Sequence, residues 1–254
     1  MIELIDVSKN FRQVKAVTHL SMRVDHGEIY GFLGPNGAGK TTTLKMIAGI
    51  LKPSSGQIII NGQNIERNPL AAKQELGFIP DRPFLYEKLT GTEFLRFIAG
   101  LYNVNHDSFS IHSRELLELF ELSDWEHELV ESYSHGMKQR LIMTAAMLHR
   151  PKALIVDEPM VGLDPRGARL LKNIFRQLRR NGVSILISTH TLAIVADLCD
   201  RIGIIHRGQL FAEGTVEQLK AQAGGSEHLE DAFLKLTGGQ EEQILTDLFK
   251  PEAE

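Results

Sequence analysis

One corner of the sequence constrains the fold more than any other. Residues 29–33, Ile-Tyr-Gly-Phe-Leu, form a short apolar run that is typical of a buried strand. The loop after it reads Gly34, Pro35, Asn36, Gly37, Ala38, Gly39, Lys40, Thr41 and Thr42. Apolar residues then recur at the helical period, at Leu44, Ile47, Ala48 and Leu51. The pattern predicts a strand, a glycine-rich loop and a helix that we expect to end at Lys52-Pro53.

The loop has the spacing of a phosphate-binding motif, G-x-x-x-x-G-K-[ST]. Free N–H groups at a helix N-terminus attract anions, and glycines let the backbone curl closely around phosphate oxygens. In such a loop Lys40 reaches the β- and γ-phosphates, while the Thr41 hydroxyl ligates Mg²⁺. A chance glycine-rich turn would not explain the strand and helix on either side. The sequence therefore predicts a nucleotide site that uses Mg²⁺.

Composition narrows the class of protein. The 254 residues, 43% of them apolar, suffice for one large domain or two small ones. No apolar run reaches the roughly 18 residues of a membrane span, and we expect no signal peptide. Cys199 is the single cysteine, so no internal disulfide can form and a reducing cytosol is expected. A net charge of −4 does not favour a nucleic-acid partner.

Strand and helix patterns divide the chain. Residues 1–33 alternate in short runs that predict an antiparallel sheet, and Asn61-Gly62 predicts a type I′ hairpin turn after residues 57–60. A short helix over residues 69–76 and a strand over residues 77–79 follow. Apolar stripes at helical spacing over residues 90–150 indicate a helical insert.

Residues 153–156 are apolar throughout and residues 183–187 are apolar apart from Ser184, as in parallel strands buried on both faces. A helix that Pro165 opens lies between them, over residues 165–180. This alternation predicts an α/β fold with helices on both faces of a mainly parallel sheet.

The C-terminal part follows a predicted linker, Gly224-Gly225-Ser226. Two helical stripes come after it. The first contains Leu229, Ala232, Phe233 and Leu236, and the second contains Ile244, Leu245, Leu248 and Phe249. We interpret them as a docked helix pair, with a dimerisation or regulatory element as the alternative.

An acidic pair follows the apolar strand at residues 153–156. In open α/β sheets the carboxyl ends of strands face the ligand crevice, so Asp157 is placed to hold Mg²⁺ through its water shell. Glu158 is placed to polarise an attacking water as general base. A solvated surface pair is the simpler alternative, which the apolar strand disfavours.

Three further positions admit two interpretations each from the residues alone. Ser134 is either a helix N-cap or part of a second phosphate-binding corner. His190, at the end of a predicted strand, is either an ordinary histidine or a sensor of the γ-phosphate. Phe11 is either a core phenylalanine or a stacking partner for an adenine.

Together, in order and spacing, these motifs resemble the nucleotide-binding domain of an ABC transporter over about residues 1–220. Residues 34–41 resemble its Walker A motif, residues 154–157 its Walker B motif, and Glu158 its catalytic glutamate. Phe11 occupies the aromatic A-loop position and His190 that of the switch histidine. The D-loop corresponds to Gly162, Leu163 and Asp164, and the signature sequence to Ser134, His135, Gly136, Met137, Lys138 and Gln139.

The resemblance implies an ABC ATPase fold in which a mixed, mainly parallel sheet carries an antiparallel β subdomain and a helical subdomain at about residues 82–150. It implies an ATPase domain over residues 1–223 and a C-terminal helical extension over residues 224–254. In that family two domains sandwich two ATP molecules head to tail, so the signature residues act on the nucleotide of the other protomer.

The chain departs from the family pattern at two positions. Asp81 stands where the family's Q-loop has glutamine, and we expect its carboxylate to reach the metal and to retain a modified coupling role. His135 replaces a glycine of the signature, which constrains the backbone there.

The resemblance therefore implies the ATP-hydrolysing subunit of a bacterial transporter at the cytoplasmic face of the membrane. Its expected partners are a separate membrane-spanning subunit and a second ATP-binding protomer, identical or different. Residues 80–83, 85–90 and 136–140 resemble exporters of the bacitracin-resistance and Ecs type. The alternatives are a soluble ABC-type ATPase acting on a ribosome, DNA or a protein complex, and a kinase-like P-loop enzyme.

Overall fold

The computed structural model describes residues 1–82, 84–225 and 228–237. An antiparallel sheet contains β1 (Ile2–Phe11), β2 (Val14–Val24), β4 (Ser55–Ile60) and β5 (Gln63–Asn64) in the order β2-β1-β4-β5. The turn between β4 and β5 has Asn61 at φ 45° and Gly62 at φ 82°, as a type I′ turn requires. The predicted hairpin is confirmed.

The second sheet is mainly parallel and forms the centre of the molecule. It contains β3 (Ile29–Leu33), β6 (Leu76–Ile79), β7 (Ala153–Asp157), β8 (Ser184–Thr189), β9 (Arg201–His206) and β10 (Gln209–Gly214) in the order β10-β9-β3-β8-β7-β6. Only the β9–β10 hairpin is antiparallel. The prediction that residues 1–33 belong to an antiparallel sheet is wrong for β3, because every residue of β3 is buried and only the parallel sheet covers both its faces.

The helices of the described chain are α1 (Lys40–Ile47), α2 (Pro69–Gln74), α3 (Gly91–Leu101), α4 (His106–Leu119), α5 (His135–Met147), α6 (Pro165–Arg180), α7 (Leu192–Leu198), α8 (Val216–Gln222) and α9 (Leu229–Thr237). Side-chain N-caps begin several of them: Asn105 opens α4, Ser134 opens α5 and Asp164 opens α6. Helix α6 has the predicted bounds.

Helix α1 is shorter than predicted. It ends at Ile47 rather than at Lys52-Pro53, because Gly49 takes a left-handed φ of 64°. The N–H groups of Ile50 and Leu51 then bond back to the carbonyl of Lys45 and close the helix. The glycine, not the proline, is therefore the stop signal.

The helical segment α3–α5 packs into the main core instead of folding apart from it. Its buried side chains share one apolar cluster with the sheet residues Ile79, Val156 and Ile187. A second cluster joins the other face of the sheet to α1 and the antiparallel sheet. The segment is thus held at a fixed position beside the carboxyl edge of the parallel strands.

A third cluster contains the beginning of the C-terminal part. Leu229 and Ala232 of α9 are buried, and Leu229 shares a cluster with Val195 of α7 and Leu219 of α8. The predicted stripe over Ile244, Leu245, Leu248 and Phe249 and the linker residue Ser226 lie outside the described residues. Within the described ranges, no helix has both the length and the apolar character that crossing a bilayer requires.

Candidate active site

The glycine-rich loop is shaped by close backbone contacts. A Cβ on Gly34 would lie 2.4 Å from the carbonyl oxygen of Ile205, and one on Gly39 would lie 2.6 Å from that of Ala16. Gly39 also has a φ of 107°, which side chains rarely adopt. Both glycines are therefore required, and α1 begins directly after them with its free N–H groups at the loop.

Lys40 is folded back over this loop. Its Nζ donates hydrogen bonds to the carbonyl oxygens of Gly34, at 2.6 Å, and Pro35, at 3.1 Å. Burial lowers the pKa of Lys40, and the nearby carboxylates of Glu158 and Asp157 act in the opposite direction. The ammonium group is thus held at the loop, where two backbone carbonyl oxygens accept its hydrogen bonds.

A cavity of about 390 Å³ lies against the loop and collects the predicted groups. Its lining includes Asp81, Asp157 and Glu158 together with Thr41. The lining also contains Val14, Lys15, Ala16, Arg207 and Gly208. The loop, the acidic pair and the Q-loop position therefore share one cavity.

Two hydroxyl groups hold the carboxylate of Asp157. Ser188 Oγ donates to Asp157 Oδ1 at 2.8 Å, and Thr41 Oγ1 donates to Asp157 Oδ2 at 3.1 Å. Burial raises the pKa of Asp157, these hydrogen bonds lower it, and the charges of Glu158 and Asp81 raise it further. The cavity thus concentrates negative charge that a cation would relieve.

The carboxylate of Glu158 is fixed by the end of β8. Thr189 Oγ1 donates to Glu158 Oε2 at 2.8 Å. His190 donates to Glu158 Oε1 twice, from its backbone N–H at 3.1 Å and from Nδ1 at 2.7 Å. Glu158 itself takes a left-handed φ of 49°, a conformation that costs energy for a non-glycine residue and is found at functional sites. His190 is therefore a partner of the acidic residue.

The signature residues line a different cavity of about 620 Å³. The lining contains Ser134, Gly136 and Arg140 from the start of α5 and the D-loop residues Gly162, Leu163 and Asp164. Ser134 accepts the N–H of Met137 and so caps α5. Within one protomer the signature thus does not meet the glycine-rich loop.

The other signature side chains serve several contacts. Gln139 is buried, Met137 packs against the main core, and Lys138 Nζ pairs with Glu87 at 2.6 Å. The ring of His135 contacts Gly162, since a Cβ on that glycine would lie 2.6 Å from His135 Cδ2. His135 therefore joins the signature to the D-loop.

Phe11 lies at the end of β1, where it pairs with Val14 across the hairpin. It is 43% exposed, so the interpretation as a core phenylalanine is wrong. Its ring is 5.1 Å from Lys9 Nζ and is not part of the cavity lining, although Val14 is. The ring is thus exposed, next to a hairpin partner, Val14, that does line the cavity.

Sequence reasoning missed four polar residues of this site: Ser188, Thr189, Lys15 and Arg207. The two hydroxyl residues directly precede His190, and β8 aligns Ser188 with Asp157. The hydroxyl residues end one predicted strand and the acidic pair ends another, and this pattern could have identified Ser188 and Thr189 from the sequence. Lys15 and Arg207 come from two hairpins whose meeting no local pattern predicts.

The chain is similar to known proteins of one family. Residues 17–161 match the model of the ABC transporter family. The chain is 36% identical over 93% of its length to the linearmycin resistance ATP-binding protein LnrL of Bacillus subtilis, of which it covers 75%. It is 41% identical over 87% of its length to the bacitracin transport ATP-binding protein BcrA of Bacillus licheniformis, of which it covers 71%.

The fold agrees with these matches. A solved structure of the ATP-binding subunit of an ABC transporter superposes with a TM-score of 0.89 and 34% identity, covering 93% of this chain and 99% of that one. The predicted ABC ATPase fold and the resemblance to bacitracin-resistance ATPases are confirmed. The chain belongs to the ABC transporter family, as an ATP-binding and ATP-hydrolysing subunit.

Proposed function

We propose that this subunit hydrolyses ATP at a composite site, in which the Lys40 cavity of one protomer meets the signature cavity of another. The observation that carries the proposal is the shared cavity of Lys40, Asp157 and Glu158, with His190 bonded to Glu158. In it, Lys40 and the loop N–H groups bind the β- and γ-phosphates. Phe11 stacks on the adenine.

Mg²⁺ fits the donor set of this cavity. Thr41 contributes a hydroxyl oxygen, and Asp157 and Asp81 contribute carboxylates, which are the hard oxygen ligands that Mg²⁺ prefers. The raised pKa of Asp157, caused first by burial, indicates a charge that a cation would stabilise. When bound, the ion neutralises charge that develops on the β- and γ-phosphate oxygens.

The chemistry falls to Glu158. Its carboxylate accepts a proton from the attacking water, whose oxygen bonds to the γ-phosphorus as the bond to the ADP oxygen breaks. Thr189 and His190 keep the two carboxylate oxygens oriented. His190 also senses the γ-phosphate, because its imidazole is bonded to Glu158, the proposed base.

The signature acts on the nucleotide of the opposite protomer. Ser134, Gly136 and the free N–H groups at the start of α5 bind its γ-phosphate, and His135, Met137, Lys138 and Gln139 complete the sequence. The D-loop residues Gly162, Leu163 and Asp164 lie beside it. The separation of the two cavities within one protomer supports this arrangement.

The partner in transport is a membrane-spanning subunit, and the chain lies peripherally at the cytoplasmic face. Phe84, Tyr86 and Phe97 form an exposed aromatic group with edge contacts of 5.6 and 5.2 Å, near Asp81 on the helical segment. Such a group suits the apolar end of a partner helix. The names of LnrL and BcrA favour an exporter.

The test combines trapping and co-purification. The Glu158→Gln variant should lose turnover about 10²-fold or more, bind ATP, and form a dimer that co-purifies with a multi-span membrane protein. Lys40→Ala is the matched control, which should bind ATP poorly and remain a monomer. Unaltered turnover in Glu158→Gln would remove Glu158 as base, and ribosomal or DNA-bound partners would indicate the soluble alternative.

A further inference from the structure

We propose that Lys15 and Arg207 form a cationic subsite for the phosphate nearest the base of the bound nucleotide. The inference rests on the proposed function, since it deepens the nucleotide site at the Lys40 cavity. Both residues line that cavity, as Asp81, Asp157 and Glu158 do. The cavity lining thus contains two cations in addition to the three carboxylates.

The turn that carries Arg207 is locked in place. Arg207 has a φ of 48° and Gly208 a φ of 78°, so β9 and β10 are joined by a tight turn. The N–H of Gly208 donates to the carbonyl of Ala38 in the glycine-rich loop at 2.9 Å, and its carbonyl accepts the N–H of Thr18 at 2.8 Å. The turn is therefore bonded to both the loop and β2.

Packing around Gly208 leaves little freedom. A Cβ there would lie 2.7 Å from the carbonyl oxygen of Ala16, which neighbours Lys15 in β2. The same carbonyl limits Gly39, at 2.6 Å. The Ala16 carbonyl, next to Lys15, thus lies close both to the turn that carries Arg207 and to the phosphate-binding loop.

No carboxylate of the described residues neutralises the charge of either residue. In the part of the chain that the structure describes, neither Lys15 nor Arg207 forms an ion pair. A solvated surface cation is the simpler interpretation for one such residue. Two unpaired cations from separate hairpins that converge on one cavity, beside a loop that binds phosphate, favour an anionic ligand.

Register indicates which phosphate they meet. Val14 pairs with Phe11, and Lys15 is the next residue of β2 toward the loop. Because Phe11 takes the adenine in the proposed function and Lys40 takes the β- and γ-phosphates, the subsite between them faces the α-phosphate. Lys15 and Arg207 therefore hold ADP and ATP alike.

The test measures binding without Mg²⁺ and without turnover. ADP and adenosine are titrated by calorimetry into the full-length protein and into Lys15→Gln and Arg207→Gln. Each variant should bind ADP about fivefold more weakly at low salt, with the difference shrinking in about 0.5 M salt, and should bind adenosine as the wild type does. Arg207→Lys, which keeps the charge, should retain most of the affinity.

Arg12→Gln is the matched control, since Arg12 is a cation of the β1–β2 hairpin that does not line the cavity. Equal losses in Arg12→Gln, or ADP affinities within twofold of wild type in both cavity variants, would overturn the subsite. If the wild type failed to bind ADP, or Lys40→Ala bound it equally well, the proposed function itself would fail. Thermal unfolding of each variant separates weaker binding from misfolding.

Discussion

Two neighbouring hydroxyl residues of β8 each hold one carboxylate of the acidic pair at the end of β7. Ser188 donates a hydrogen bond to Asp157, and Thr189 donates one to Glu158. Because β7 and β8 are parallel, adjacent residues of one strand end support adjacent residues of the other. The Thr189 hydroxyl also accepts the N–H of Thr191 at 3.1 Å, which fixes its orientation. Thr189 is thus a positioning residue for the proposed base.

Replacing Thr189 with valine tests this role, since valine has a similar shape and lacks the hydroxyl. Thr189→Val should lower kcat about tenfold, because Glu158 loses the bond that orients one of its oxygens, while the KM for ATP changes little. Thr189→Ser keeps the hydroxyl and should restore most of the rate. A Thr189→Val enzyme with wild-type kcat would show that His190 alone orients Glu158.

His149 predicts a pH-dependent stability. Its Nε2–H donates to the Leu76 carbonyl at 3.2 Å, its ring stacks on Tyr102 at 3.8 Å, and its Nδ1 has no partner in the described structure. Burial lowers the pKa of His149 to about 4. Only the unfolded chain therefore takes up this proton as the pH falls from about 6.5 to 4, and stability is lost over that window.

Urea unfolding of the wild type and His149→Gln, at pH values near 7.5 and near 5, measures this effect. Glutamine keeps a donor for Leu76 and does not titrate. The wild type should lose about 2 kcal/mol more than the variant between the two conditions. Parallel losses in the two proteins would mean that His149 is protonated in the folded state.

At the scale of elements, the sequence predicted those whose signals are local. Helix α6 has its predicted bounds because Asp164 caps it and Pro165 opens it, and Asn61-Gly62 turns as expected because both residues accept positive φ. The sheet to which a strand belongs was harder to predict. β3 follows the two antiparallel strands β1 and β2 directly in the sequence, and only its pairing with β8 and β9 assigns it to the other sheet.

The residues of the candidate site divide in the same way, into those with a local sequence signal and those without one. The loop, the acidic pair and His190 were predicted because each lies at the end of one strand or the start of one helix. The part of the cavity lining that contains Lys15 and Arg207 was not predicted, because it depends on how two hairpins meet. The local sequence pattern carries no information about the distance between those two hairpins.

The contact between the signature and the D-loop gives a prediction about two elements. Gly162 has a φ of 77°, and a Cβ there would collide with the His135 ring. Gly162→Ala should therefore cost the left-handed strain, about 1 kcal/mol, plus the collision. In a His135→Ala background only the strain should remain, so the two substitutions should couple by about 1 kcal/mol in unfolding free energy.

Gly182→Ala is the matched control for this cycle. Gly182 has a φ of 83° and no atom within 4 Å of its Cβ position, so its replacement reports the strain alone. Additive effects of Gly162→Ala and His135→Ala in denaturant unfolding would contradict the contact. Coupling would show that the histidine in the signature requires the glycine in the D-loop.

At the scale of the whole molecule, one protomer contains two separate cavities, which the proposed function treats as halves of a composite site. The Lys40 cavity has the loop and the acidic pair, and the Ser134 cavity has the signature. If two copies of this chain complete each other, a defect in either half should be rescued by a partner that carries the opposite defect. A site contained in one protomer would allow no rescue.

Mixing Lys40→Ala with Ser134→Arg provides the measurement. Each variant alone should hydrolyse almost no ATP, whereas each mixed dimer in an equal mixture has one intact site of two, which should restore a clearly measurable part of the wild-type rate. Lys40→Ala mixed with Glu158→Gln is the control, since both defects lie in the same half and no intact site forms. Rescue in the first mixture and none in the second would establish a shared site between identical subunits. Failure in both, with folded proteins, would mean that this chain does not complete its site with a second copy of itself.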